Sequence, residues 1–156
     1  MSSDSEPIII DEWLWSDLSE ENGKQNREEA FEFLECLYKK CDKIATIRGS
    51  KYEKKFFDLC KHTDNISRAI IRFYKGYILD NSEKYITINE EECDQLSEDI
   101  SPKINIDDQY LIKLYFKLQC TIVTTDKRLL GTLKEHNIKC EDRDIFLPEY
   151  IKKYNK

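Results

Sequence analysis

The sequence predicts a three-layer α/β/α domain, with helices on both faces of a central, mostly parallel sheet of four to five strands. Two patterns carry this reading. Short β-branched runs ("PIIID", "KIATI", "KYITI", "CTIVT") alternate with longer stretches whose apolar residues recur at three- and four-residue steps. Strands separated by helices imply right-handed βαβ crossovers, which build parallel sheets. A third observation agrees with them. Only 4 glycines and 3 prolines occur in 156 residues, few for the turns of an all-β fold.

Taken in order, Met1–Glu6 reads as a flexible tail and residues 7–156 as one domain. A chain of this length buries about two-thirds of its unfolded surface. "PIIID" is the first strand, closed by Asp11. "EWLWSDL" begins a helix and "SEENGKQN" breaks it. Ala30, Phe31, Leu34, Leu37, Tyr38 and Cys41 form the stripe of an amphipathic helix. "KIATI" is the second strand. "SKYEKKFFDLC" starts a helix near Ser50, a suitable N-cap. Ile66, Ile70, Phe73, Tyr74, Tyr77 and Ile78 mark another helix, and "KYITI" a third strand. "NEEECDQLSEDISPKIN" is acidic and irregular. Ile106, Tyr110, Leu111, Leu114, Tyr115 and Leu118 form a further helical stripe. "CTIVT" is the fourth strand, "DKRLLGTLKEH" a helix, "IKC" a short fifth strand and "FLPEYIKKY" a terminal helix.

Composition excludes several classes. The longest pure aliphatic run is Ile8-Ile9-Ile10, far short of the ~20 residues of a membrane span. "MSSDSEPIII" lacks the basic region of a signal peptide. The six cysteines are scattered without a CxxC pair, and there are only two histidines. That pattern speaks for reduced, buried thiols in a cytoplasmic protein rather than for zinc or disulfides. A net charge of −6 argues against nucleic-acid binding through a broad basic face.

The acids are more informative. In parallel sheets ligands sit outside the carboxyl ends of the strands. Asp11 ends strand one, and Asp126 follows strand four. Asp107 and Asp108 open a helix that runs back along the sheet, so they start at the same edge. Glu53 lies in the first turns of the helix after strand two. Singly, each reads as a helix cap or a solvated residue. Jointly, they crowd like charge into one crevice, and a hard divalent cation held by oxygen ligands resolves the repulsion. On that basis Asp→Asn at Asp11, Asp108 or Asp126 is expected to raise the melting temperature without metal.

"PIIIDEWLWSDL", "DDQYLIKLYFKLQCTIVTTDKRLL" and "DRDIFLPEYI" resemble a PIN domain, the family of metal-dependent ribonucleases that includes many toxins of toxin–antitoxin pairs. The resemblance spans nearly the whole chain. It implies a PIN-like fold and hydrolysis of RNA phosphodiester bonds with Mg²⁺ or Mn²⁺. It assigns the catalytic acids to Asp11, Glu53, Asp108 and Asp126, with Thr124 in the Thr-x-Asp after strand four. Metal ligation falls to Asp11, Asp108 and Asp126, with Asp107 as a neighbour that shares or replaces Asp108. Arg48, Lys51, Lys127 and Arg128 flank the same edge as candidate phosphate contacts. An antitoxin or other protein partner and a homodimer are further implications.

"TIRGSKYEKKFF" matches the family's second-acid segment only loosely, and Tyr115 stands where the family often has a small residue. A non-catalytic PIN-like module that binds RNA or protein is the alternative. A haloacid-dehalogenase-like site needs a second Asp two residues past Asp11, where Trp13 stands. A receiver domain needs an Asp after a central strand, where "YITIN" offers Asn89. "DEWLW" lacks the glycines of a dinucleotide-binding turn.

Overall fold

In the computed structural model, which describes residues 6–154, five strands form one all-parallel sheet. They are β1 (Pro7–Ile10), β2 (Lys43–Ile47), β3 (Tyr85–Ile88), β4 (Ile122–Thr124) and β5 (Cys140–Asp142), in the order β3-β2-β1-β4-β5. The helices are α1 (Trp13–Leu18), α2 (Lys24–Lys39), α3 (Lys51–Leu59), α4 (Asn65–Tyr74), α5 (Gln109–Leu118), α6 (Lys127–Glu135) and α7 (Arg143–Tyr154). Of the expected tail only Glu6 falls within the described residues.

The strand order follows from the crossovers. Connections from β1 to β2 and from β2 to β3 step one way, while β3 to β4 and β4 to β5 step back the other way. Right-handed crossovers therefore put α1–α4 on one face and α5–α6 on the other. The packing agrees: α1 meets α2 and α3, α7 returns to α2, and α5 lies on β1 and β2. β1 carries three isoleucines because it is central and covered on both sides, and all three are buried. Trp15 of α1, Tyr52 and Phe56 of α3 and Tyr74 of α4 pack ring against ring with centroids 4.6–5.4 Å apart. That aromatic cluster anchors the α3–α4 side of the core.

Two buried cations staple the layers. Arg143, at the first residue of α7, is 2% exposed and donates to Asp17 of α1 (2.8 Å) and Glu29 of α2 (2.6 Å). Lys84 donates to the carbonyls of Leu37, Lys40 and Asp42, closing the open end of α2. Burial lowers the Lys84 pKa, against the raising influence of nearby Cys41 and Asp42.

Some elements differ from the sequence reading. β5 is Cys140–Asp142 rather than "IKC", because Ile138 turns into the core and the polar residues after it pair with β4. Ile106 is 78% exposed in a 3-10 turn (Ile106–Asp108) ahead of α5, not part of its buried stripe. Cys41 lies beyond α2 and is exposed. α4 ends in a π turn (Lys75–Leu79), and α7 begins three residues before "FLPEYIKKY". Among the described residues no helix is long and apolar enough to cross a membrane.

Candidate functional site

The site lies where the sheet's connections diverge, between β1 and β4, the position at which open α/β sheets form a crevice. Asp11 immediately follows β1 and is 6% exposed. Thr124, the last residue of β4, donates its hydroxyl to Asp11 Oδ2 at 2.9 Å. The same Thr124 oxygen accepts the Asp126 N–H at 3.2 Å. Thr124 thus ties the two strand ends, and the acids that follow them, into one turn. The Glu12 N–H donates to Asp11 Oδ1 at 2.7 Å, and the Trp13 indole N–H donates to the Val123 carbonyl at 2.8 Å. Burial pushes the Asp11 carboxyl pKa up, against the opposing pull of the Glu12 N–H, Lys51 and Thr124.

Asp108 arrives from the far face at the start of α5 and is buried. Its side chain makes no capping bond; Asn105 accepts from Asp107 N–H instead. Asp108 faces Lys51, the first residue of α3, whose ammonium stands 2.6 Å from Asp108 Oδ1 and 2.9 Å from Glu12 Oε1. Burial alone would lower the Lys51 pKa, but its bonds to Asp108 and Glu12 outweigh this and raise it. Asp126 is exposed and caps α6, accepting the Leu129 N–H at 3.1 Å.

Asp11, Glu12, Glu21, Asp108, Asp126 and Lys51 line one open cleft of about 330 Å³, together with Ser16 and Asn22. Lys51 also lines the adjoining groove, with Arg48, Lys54, Asp107 and Lys113. Asp107 therefore faces that groove while Asp108 faces the cleft. Arg128 lines a pocket on the other side of Asp108 and Asp126. Lys127 is bound to Asp142.

Glu53 lines neither cleft nor groove. Its carboxylate accepts the Tyr85 hydroxyl at 2.6 Å and the Gly49 N–H at 2.8 Å, closing the turn between β2 and α3. Gly49 has φ of +76° there, a conformation that favours glycine. Glu12 and Glu21 are cleft-lining acids that the sequence reading does not include, although the place of Glu12 beside Asp11 at a strand's carboxyl end is visible there. Lys51, a candidate phosphate contact by sequence, instead pairs with Asp108 and Glu12. A lysine at the first position of a helix opposes the helix dipole, and that was the available signal that acids stand opposite it.

Among the described residues no group of three or more Asp, Glu, His or Cys side chains is arranged to hold a metal ion. The donor set nevertheless fits a hard divalent cation in kind, since the cleft offers carboxylate oxygens without sulfur or imidazole. The Lys51 ammonium, bridging two of those carboxylates, is a stand-in positive charge at the same place.

No protein-family model matches the sequence. None of the curated proteins matches it. Among solved structures, that of FitAB bound to an IR36 DNA fragment is similar, with a TM-score of 0.55 at 12% identity, covering 87% of this chain and 94% of that one. At so low an identity the likeness speaks for the fold. Together with the five parallel strands and their order, it supports the conclusion that this chain has a PIN-like fold.

Proposed function

We propose that the chain is a PIN-like, metal-dependent endoribonuclease acting at the cleft between β1 and β4. The observation that carries the reading is the convergence of Asp11, Glu12, Asp108 and Asp126 on one cleft from three separate segments. Asp11, Asp108 and Asp126 would hold Mg²⁺ or Mn²⁺, with Glu12 supplying the acid that Glu53 does not bring. When bound, such an ion polarises the scissile phosphate and provides a nucleophile at neutral pH. Thr124 fixes the Asp11 carboxylate through its hydroxyl bond. Arg48 and Lys54 in the adjoining groove, and Arg128 on the other side, offer positive charge to the flanking phosphates. RNA is the substrate in this reading, and an antitoxin-like protein is the implied partner.

The test is cleavage of a panel of single-stranded RNAs with Mn²⁺ and with chelator. Cutting that needs the ion and is lost in Asp11→Asn is expected. RNAs left intact by correctly folded protein would favour the second reading, a PIN-like module that binds without cleaving. One specific observation favours that second reading: the engagement of Glu53 by Tyr85 and Gly49.

A further inference from the structure

We propose that Lys51 is the resident counter-ion of the carboxylate cleft, and that a divalent cation enters only by displacing its ammonium. The inference rests on the reading of the cleft as a cation site. One ammonium bridges Asp108 and Glu12, at 2.6 and 2.9 Å, from segments far apart in sequence. Lys51 is the first residue of α3, where the helix dipole disfavours a cation. The acids opposite therefore hold the charge in place. The side chain also lines the neighbouring groove with Arg48 and Lys54, so a displaced ammonium has somewhere to go. Displacement would move one positive charge from the acids to the side on which phosphates are expected. The cleft then exchanges one cation for another, and Lys51 sets how tightly the incoming ion binds.

The experiment is calorimetric titration of MnCl₂ into the full chain, as wild type, Lys51→Met, Lys51→Gln and Lys51→Arg, with folding checked by circular dichroism. Both neutral variants should bind Mn²⁺ about tenfold or more tightly than wild type, while Lys51→Arg stays within about threefold, since it keeps the competing charge. A second measurement uses wild type alone. Amine acylation read by mass spectrometry should rise severalfold at Lys51, relative to Lys54, when Mn²⁺ is saturating. Equal Mn²⁺ affinity in wild type and the neutral variants, or unchanged acylation of Lys51, overturns the proposal while leaving the cation site standing. No Mn²⁺ uptake by any of the four proteins overturns both.

Discussion

Asp126 and Asp108 both stand at helix starts, yet their side chains have different tasks. Asp126 caps α6 through Leu129, whereas Asp108 leaves its helix uncapped and holds Lys51. Asn caps about as well as Asp, so Asp126→Asn should change stability little, while Asp126→Ala should cost about 1 kcal/mol. Crowded acids alone would make Asp108→Asn stabilising without metal. The Lys51 ammonium reverses that sign, because the substitution strips a partly buried cation of one partner. We expect Asp108→Asn to lose about 1–3 kcal/mol in chelator, measured by thermal melting beside the Asp126 variants. Arg143 tests burial more severely. Arg143→Met leaves Asp17 buried without its cation, a change that costs about 3–5 kcal/mol. At roughly 2–4 °C per kcal/mol the melting temperature should fall well beyond the Asp126→Ala shift. A fall as small as that shift would mean that Asp17 does not depend on Arg143 as a buried charge depends on its partner. Of these residues, Asp11, Asp108 and Asp126 were legible because strand ends and helix starts fix where they stand. The positions of Lys51 and Glu12 were visible at the same edge, but their ion pair, like that of Arg143 with Asp17, was not, because a pairing across distant segments leaves little local pattern.

At the scale of elements, β1 to β4 were readable because a strand covered on both faces needs a nearly continuous apolar run. β5 is an edge strand of partly exposed residues, Cys140, Glu141 and Asp142. It is defined by pairing with β4, which composition does not reveal. Ile106 misled for the opposite reason: it fits the helical period but sits in the preceding turn. The end of α2 depends on a residue outside the helix. Lys84 supplies hydrogen bonds to the last carbonyls of that helix from the turn before β3. Lys84→Met should lower stability by about 1–3 kcal/mol, because the carbonyls of Leu37, Lys40 and Asp42 lose the ammonium that bonds all three. Hydrogen exchange should locate the loss in the last turn of α2 and leave α5 unaffected. Faster exchange spread evenly over both helices would contradict the capping role.

For the molecule as a whole, a net charge of −6 meets a short row of cations beside the cleft. Several of these are already engaged: Lys127 by Asp142, Lys113 by Glu90, and Lys51 by the acids. If the chain acts on RNA as proposed, its RNA binding should therefore be weak and shallow in salt. Each phosphate contact on a single strand contributes about −0.7 to the log–log slope, so roughly three contacts give about −2. A slope steeper than about −5 in a salt titration would reveal a basic surface larger than these few cations. The strand order has a consequence during synthesis. β3, β2 and β1 are neighbours and all emerge in the first part of translation, whereas β4 follows much later. Because the cleft is built across the seam between β1 and β4, a nascent chain lacks it until Asp126 has left the ribosome. On the proposed reading, a chain assembled in that order would be unable to cut its own messenger RNA for most of the time it remains attached to it.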